Sequence, residues 1–458
     1  MMPPHIGKTG GESSVRQSND GMLGAMPVPR LVVTMSLPIM LSMLISAVYN
    51  LVDSVYVAQY SDEAFLALSY AYPIQMLLVA FCSGIGVGFS AIFSRRLGEG
   101  DQEQAASAVC HGFFLYGLCW LLFLLFALTG AAPFLRLSTE DPSVARQGAQ
   151  YLLICCGLSI GTCMQFLTER ILQAMGRPAG FMIVQGSGAI LNLILDPIFI
   201  FVLDLGVAGA AAATVIGQIS GALIGFWLVY RLRRQLPIRL RGFRPRGEML
   251  AEMGRVAAPA VVMQSLSSFM SLGLNQLLTR WSESAVFVLG AYFKLQTFIF
   301  MPIFGISSGL IPILSYNYGS GALRRVSASV RFGQQFTAVL SLSGALLLSL
   351  LASPLLRSAF RAGPEALAMG APALRIIALS FFFAGTSIIF CSAFQSLGRS
   401  RWSLLVALLR QILLLLPAAA LLLALKPALV WAAFPLSELI SCFAAALLYR
   451  RTIQKQLL

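Results

Sequence analysis

Long apolar runs alternate with short polar segments along almost the whole chain. Twelve of these runs are long enough to cross a bilayer as helices, because about 20 helical residues span its apolar core of about 30 Å. The twelve apolar runs are residues 29–58, 65–94, 107–133, 146–175, 179–203, 207–231, 253–279, 286–316, 328–352, 368–397, 401–425 and 428–449. This pattern predicts an all-α integral membrane protein with twelve transmembrane helices, and an even number of spans puts both termini on one side.

Basic residues in the polar segments indicate which side that is. The segments on one side contain Arg95, Arg96, Arg177, Arg231, Arg233, Arg234, Arg239, Arg241, Arg244, Arg246, Arg324, Arg325, Arg399, Arg401, Arg450 and Arg451. The segments on the other side carry few bases and are residues 59–64, 134–145, 204–206, 280–285, 353–367 and 426–427. Because arginine-rich loops stay in the cytosol, we expect a multi-pass protein of the inner (plasma) membrane with both termini cytosolic.

The longest connection on the arginine-rich side divides the chain into two halves. We predict an N-lobe over residues 29–231 and a C-lobe over residues 253–450, joined by a cytosolic linker over 232–252. The polar residues 1–28 have no apolar segment followed by a cleavage site, so we interpret them as a disordered cytosolic tail and not as a signal peptide. A second short tail covers residues 451–458.

The two halves are an internal repeat. A shift of 221 residues aligns Pro38 with Pro259, and it also aligns a series of paired glycines. The glycine pairs are Gly84 and Gly305, Gly88 and Gly309, Gly98 and Gly319, and Gly100 and Gly321. Since each half has six spans, the repeats have the same topology and are related by a pseudo-two-fold axis along the membrane normal. Two six-helix bundles around a central cleft follow, which is a transporter architecture.

Composition excludes several other classes of protein. Charged residues make up 11% of the chain, against about 25% in soluble domains, and hydrophobic residues make up 58%. The net charge of +14 comes from arginines in short loops and not from a basic patch with interspersed aromatics, so we expect no nucleic-acid partner. Eight cysteines and two histidines show no metal-ligand spacing, so we expect no cofactor, no enzymatic activity and no disulfide framework.

Acidic and amide residues inside the spans of the N-lobe are the strongest chemical signal. Asp196 interrupts the apolar run 192–201, and Asn192 lies one helical turn earlier on the same face. By residue count, Asp53 of the first span and Thr214 of the sixth lie at the same depth as Asp196. These four residues predict a site for a small hard cation such as Na⁺, or for a proton shared by the two carboxyl groups. The alternative is a structural Asp196 that Asn192 and freed backbone groups satisfy.

Two prolines mark weak points in the helices that carry this site. Pro38 lies in the first span and Pro197 directly follows Asp196. A proline in a helix removes a backbone hydrogen bond, so we predict a kink at each position.

The C-lobe does not repeat the acidic site. At the shift of 221, Asp53 meets Leu274. Later in the chain the shift is 222, as for Gly176 and Gly398, and there the other three site residues meet Leu414, Ala418 and Leu436. We therefore assign ion coupling to the N-lobe alone. The C-lobe instead carries Lys294, Arg410 and Glu438 within its spans. Arg410 and Glu438 form a structural ion pair in one interpretation; in the other, Lys294 or Arg410 lines the cleft and shapes substrate choice. Further candidates for the substrate cleft are Tyr49, Met263 and Phe293.

Several of these motifs together resemble the multidrug and toxic compound extrusion (MATE) family. The resemblance covers residues 29–450 and rests on Pro38, Asp53, Gly98-Glu99-Gly100-Asp101, the segment 192–201 and the segment 207–214. It implies a two-lobed, twelve-helix antiporter that exports organic, cationic small molecules in exchange for Na⁺ or H⁺. Members with an N-lobe cation site, the prokaryotic DinF-like type, use residues that match Asp53, Asn192, Asp196 and Thr214. Members with acidic residues in the seventh and tenth helices find no counterpart here.

Two other functions remain open on the sequence. A flippase of related fold, acting on lipid precursors or polysaccharides, would line its cleft with bases, for which Lys294 and Arg410 are candidates. A membrane-embedded enzyme such as a prenyl transferase would need clustered carboxylates at the cytosolic face, whereas Asp53 and Asp196 lie near the outer face. We therefore predict an antiporter whose partners are small-molecule substrates, H⁺ or Na⁺ and the lipid bilayer, and which acts as a monomer.

Overall fold

All regular structure in the described residues is helical. The computed structural model describes residues 22–232 and 243–454, and within these ranges the side chains of residues 51, 453 and 454 are not described. The first half contains α1 (Met22–Ala25), α2 (Val28–Tyr60), α3 (Asp62–Gly98), α4 (Gln102–Thr129), α5 (Ala131–Ser138), α6 (Pro142–Gly157), α7 (Ile160–Ala174), α8 (Pro178–Pro197) with a π-helical turn (Ile198–Val202), and α9 (Gly206–Arg231).

The second half repeats this order. It contains α10 (Gly247–Thr279), α11 (Glu283–Gly319), α12 (Leu323–Ser358), α13 (Pro364–Ala378), α14 (Phe381–Ser396), α15 (Ser400–Leu408), a π-helical turn (Leu409–Leu413), α16 (Leu415–Leu425), a 3₁₀ helix (Pro427–Ala432), α17 (Ala433–Tyr449) and a further π-helical turn (Arg450–Gln454).

These helices supply the twelve predicted spans. Ten continuous segments are long and apolar enough to cross a membrane, and two helix pairs qualify when each pair is taken as one span. The two pairs are α6 with α7 and α13 with α14, and each is bent by 43°. Because they are the fourth and tenth spans, the bends occupy equivalent positions in the two halves. The all-α membrane fold predicted from the sequence is therefore confirmed.

The repeated glycines end helices in both halves. Gly100 and Gly321 have φ of +79° and +73°, and Gly176 and Gly398 have φ of +73° and +71°. A left-handed backbone conformation just after a helix favours glycine, since a Cβ is strained there. The repeat therefore preserves the turns on the arginine-rich side.

Other repeated glycines bring the two lobes into contact. Each packs directly on the opposite lobe, where a Cβ would overlap a neighbouring atom, and each contact recurs with the roles of the lobes exchanged. The contacts are Gly84 with Val261 and Gly305 with Met40, Gly88 with Ala257 and Gly309 with Ser36, and Gly98 with Tyr316 and Gly319 with Arg95. Since Met40 precedes Val261 by the same 221 positions as Gly84 precedes Gly305, the contacts obey the predicted pseudo-two-fold symmetry.

Polar contacts between the lobes lie on the arginine-rich side as well. The Arg96 guanidinium is 2.8 Å from the Glu252 carboxylate, and Gln173 Nε2 donates to the Ser308 carbonyl oxygen at 2.7 Å. Towards the opposite side, the position of a Cβ on Gly290 has no atom within 4 Å. These contacts close the lobes together on the arginine-rich side, from which we infer that the cleft between them opens towards the other side.

The ends of the predicted segments need three corrections. Residues 22–28 are not a disordered tail, because α1 places Leu23 in the core, only 4% exposed. The linker ends earlier than predicted, since α10 begins at Gly247 and the Arg246 amide donates to His111 Nε2 at 2.8 Å. The loop 134–145 contains most of α5. The predicted features at 1–21, 233–242 and 455–458 lie outside the described residues.

The two prolines differ in their effect on the helices. α2 continues through Pro38, whose carbonyl oxygen accepts a hydrogen bond from Ser42 Oγ at 2.8 Å. At Pro197 the α-helix ends and the π-helical turn follows. The predicted break in regular helix is thus present at Pro197.

Gly98→Ala is expected to loosen the closed side of the cleft. The new methyl group would overlap the Tyr316 carbonyl oxygen, and overpacking of this kind costs about 1–3 kcal/mol. Hydrogen–deuterium exchange at the adjoining ends of α3 and α11 should accelerate about five-fold or more. Gly290→Ala, which fills open space in α11, is the matched control and should leave exchange unchanged. Equal exchange in Gly98→Ala and wild type would show that this contact does not hold the lobes together.

Candidate functional site

The two predicted carboxyl groups meet inside the N-lobe. α2 carries Asp53 and α8 carries Asp196, and the two carboxyl groups are close enough to interact directly. Asp196 is fully buried and Asp53 is half-buried. Two neighbouring carboxylates repel each other when both are ionised, and a cation or a proton between them removes that repulsion. The pair therefore favours a bound cation or a shared proton.

Asn192 connects this pair to α9. Its Nδ2 donates to Asp196 Oδ1 at 3.0 Å and to Thr214 Oγ1 at 3.4 Å. A Cβ on Gly217 would lie 2.7 Å from the Gly188 carbonyl oxygen, so α8 and α9 reach this separation only because both residues are glycines. The structure therefore brings together all four residues of the predicted ion site.

Three oxygen atoms of this group have no hydrogen-bond donor. Asp53 Oδ1, Asn192 Oδ1 and Asp196 Oδ2 are buried and unpaired. Buried acceptors are normally satisfied, and leaving one unpaired costs about 1–3 kcal/mol. Carboxylate and amide oxygens are ligands for a hard cation, and a protonated carboxyl group would supply the missing donor. The geometry thus fits either occupant.

Tyr49 and Glu169 border the site from the same lobe. Tyr49 interacts electrostatically with Asp53, Asp196 and Glu169, which places it beside the carboxyl groups. Glu169 is buried and accepts a hydrogen bond from Gln165 Nε2 at 2.9 Å. Tyr49 therefore belongs to the interior of the N-lobe at this level.

The neighbouring charges Glu169 and Arg170 have different hydrogen-bond partners. Arg170 Nη1 donates to Gln173 Oε1 at 3.0 Å, and Gln173 in turn contacts the C-lobe. Successive residues on a helix point in different directions, which is why the two side chains separate. The position of Glu169 one turn after Gln165 is the sequence signal that identifies its partner.

Arg410 and Glu438 form an ion pair within the C-lobe. Arg410 Nη2 and Nε lie 2.8 and 3.0 Å from Glu438 Oε1, and both side chains are largely buried. Of the two interpretations of these residues, the geometry favours the structural ion pair. A position of Arg410 at the substrate cleft stays a prediction.

Met263, Phe293 and Lys294 have different surroundings. Met263 Sδ accepts hydrogen bonds from Ser403 Oγ at 3.2 Å and from Gln395 Nε2 at 3.6 Å, which holds it inside the C-lobe. The Phe293 ring packs on Tyr292 with centroids 5.4 Å apart. Lys294 is exposed. Among the predicted C-lobe cleft residues, Lys294 is the one with an open environment.

Three cysteines that are distant in sequence come together in the N-lobe. The sulfur atoms of Cys82, Cys119 and Cys163 lie within 4.8 Å of one another, and all three residues are buried. Their spacing in sequence gives no sign of this proximity, because each belongs to a different helix. The small side chains allow α3, α4 and α7 to pack closely.

Comparison with known families identifies the chain. A model of the MatE family matches residues 38–198 and again residues 259–421. The two matches start 221 positions apart, the shift that relates the lobes. The chain belongs to the MatE family. The predicted family is thereby confirmed, and the protein is a MatE membrane transporter.

Named relatives of this MatE transporter include a multidrug export protein and an FAD transporter. The "Multidrug export protein MepA" of Staphylococcus aureus strain MRSA252 is 26% identical over 402 residues, covering 85% of this chain and 86% of the relative. The "FAD transporter" of Shewanella oneidensis is 26% identical over 417 residues, covering 88% and 89%. A solved outward-facing multidrug resistance MATE family transporter of the MOP superfamily superposes with a TM-score of 0.89 at 23% identity, covering 95% of this chain and 97% of that chain.

Proposed function

We propose that this MatE transporter exports small organic molecules by alternating access, driven by H⁺ or Na⁺ entering through the N-lobe. The observation that carries the proposal is the group of three buried oxygens without donors on Asp53, Asn192 and Asp196. Such oxygens inside a membrane-spanning bundle are stabilised by a cation or a proton. The similarity to a multidrug exporter supports export as the direction of transport.

The route from ion to cleft runs along α2. This helix carries Asp53 at the ion site, and it also carries Ser36 and Met40 in the contact with the C-lobe. Ionised Asp53 and Asp196 repel each other, whereas a proton or cation between them draws α2 towards α8. A shift of α2 alters its packing on α11. Ion binding thereby changes the relative stability of the conformation that is open to one side of the membrane and the conformation that is open to the other.

A flippase has less support than an antiporter. Recognition of lipid diphosphate needs several bases on the cleft wall, and Glu438 neutralises Arg410. The relatives include a multidrug exporter and an FAD transporter. Similarity to these relatives therefore does not define the class of exported solute, which depends on the residues of the cleft.

Transport by purified protein in proteoliposomes tests the proposal. With the cationic dye rhodamine 123 present, a Na⁺ gradient and a pH gradient are imposed separately at zero membrane potential. We expect dye movement against the ion flux with one of the two gradients, and none without a gradient. Dye movement that neither gradient accelerates would contradict ion-coupled antiport, and it would leave passive conduction as the activity.

A further inference from the structure

Lys294 lines the cleft between the lobes. On the helical wheel of α11 it lies within about 20° of Gly305, at 100° per residue. Gly305 packs on Met40 of the N-lobe, so this face of α11 points at the opposite lobe. One turn from Lys294 the same face is open at Gly290, and Lys294 is itself exposed. Lys294 therefore lies on the α11 face that meets the opposite lobe at Gly305, and we assign its ammonium group to the cleft.

The charge of Lys294 has no counter-ion. No ion pair or hydrogen bond reaches Lys294 from any residue in the two described ranges. Between residue 284 and the C-terminus the sequence has two acids, Glu365 and Glu438. Glu438 binds Arg410, and Glu365 accepts a hydrogen bond at 3.4 Å from Ser282 Oγ, which precedes α11. Across the cleft, the repeat places uncharged Pro73 at the equivalent position.

Neutral polar groups continue this wall of the C-lobe. In α10, Ala257 and Val261 pack on the N-lobe, and Gln264 and Ser268 follow on the same face towards the open side. Both are exposed, and Gln264 Nε2 donates to Ser83 Oγ of the N-lobe at 3.3 Å. Amide and hydroxyl groups near an ammonium offer additional donors to an anion.

The facing wall of the N-lobe is mainly apolar. The exposed residues on the face of α3 that continues outward from Gly84 include Leu66, Tyr70, Pro73 and Leu77. On α11 the exposed side chains of Phe287 and Phe298 share the face of Lys294. A solute that spans the cleft thus meets apolar and aromatic surfaces with one uncompensated positive charge among them.

From this arrangement we infer that Lys294 is a binding site for an acidic group on the exported solute. The solutes that fit are flat organic molecules with a carboxylate, sulfonate or phosphate, including zwitterions. Lys294 lies roughly 16 Å from the start of α11, at 1.5 Å per residue, so the acidic group enters deep into the cleft. This inference rests on the proposed export function and specifies its substrate class.

Two dyes that differ by one methyl ester test the inference. Rhodamine 110 carries a free carboxylate, and rhodamine 123 is its methyl ester with the same ring system. In phosphatidylcholine proteoliposomes we expect Lys294→Gln to raise the KM for rhodamine 110 about ten-fold or more, because a charge-assisted hydrogen bond contributes about a factor of ten to a hundred. The KM for rhodamine 123 should stay unchanged or fall, and Lys294→Arg should retain transport of rhodamine 110. Lys426→Gln, at an exposed loop position, is the matched control.

The outcomes separate this inference from the proposed function. If wild-type protein moves neither dye, ion-coupled export itself fails. If Lys294→Gln moves rhodamine 123 normally and its KM for rhodamine 110 equals that of wild type, the acidic-group site is overturned while export stands. A lipid phosphate is the other source of an anion. If phosphatidylglycerol inhibits transport of rhodamine 110 by wild type but not by Lys294→Gln, the site prefers lipid, and the inference about the solute is overturned.

Discussion

Asp196→Asn is expected to lower gradient-driven export strongly while leaving folded protein in the membrane. The substitution keeps the volume of the side chain and the contact with Asn192 but removes the charge that a cation or proton would neutralise. The coupled rate should fall about ten- to a hundred-fold, the contribution of a charge-assisted interaction. Asp53→Asn should have the same effect, because either carboxyl group alone leaves no shared site.

The measurement is dye transport at a fixed imposed gradient, with protein folding monitored by size-exclusion chromatography. Thr214→Ala should reduce transport less, since it removes one neutral contact at 3.4 Å. Asp62→Asn is the matched control, because this exposed acid at the start of α3 lies away from the site. Wild-type transport by a folded Asp196→Asn protein would show that the carboxyl pair is structural and would remove the basis for coupling.

Breaking the Arg410–Glu438 pair is expected to cause the largest loss of stability. Glu438→Leu leaves a largely buried guanidinium without its counter-ion, and removal of one partner of such a pair costs about 3–5 kcal/mol. The double variant Arg410→Met with Glu438→Leu should recover most of that stability, because well-packed apolar residues replace buried ion pairs at little cost. Unfolding in detergent micelles, followed by far-UV circular dichroism, measures both effects.

Transport by the double variant distinguishes structure from function at this pair. If Arg410 only stabilises the C-lobe, the folded double variant should export dye at the wild-type rate. A double variant that is stable but inactive would give Arg410 a role in transport. A Glu438→Leu protein as stable as wild type would contradict the ion pair as a structural element.

Residue counting along helices explains why so much of the ion site could be predicted. A helix advances 1.5 Å per residue, so Asp53, Asp196 and Thr214 could be assigned to one level from the ends of their spans. The internal repeat located the lobe boundary for a similar reason, since equal shifts imply equal topology. The contacts of Asn192 with Asp196 and Thr214 agree with those assignments.

Direction around a helix was harder to predict than depth. Arg410 and Met263 are predicted candidates for the cleft, and the structure gives them partners within the C-lobe, Glu438 and Ser403. A helix inside a membrane bundle shows no clear periodicity of polar and apolar residues, because the lipid on one side of it and the protein core on the other are both apolar. The glycine contacts supply the missing reference direction, because they show which face of α11 packs on the opposite lobe.

The short helix α1 makes the two openings of the cleft energetically unequal. The Leu23 carbonyl oxygen accepts hydrogen bonds from Asn317 and Arg325 at 3.2 Å, and the Met26 carbonyl oxygen accepts from Arg325 at 2.8 Å. These donors belong to the C-lobe, whereas α2 of the N-lobe begins two residues later at Val28. When the lobes separate on the arginine-rich side, either the two residues between α1 and α2 are strained or the hydrogen bonds of α1 to the C-lobe break. Separation on the far side requires neither. Helix α1 therefore restrains lobe separation on one side only, and the proposed alternating access would meet this restraint once in each cycle.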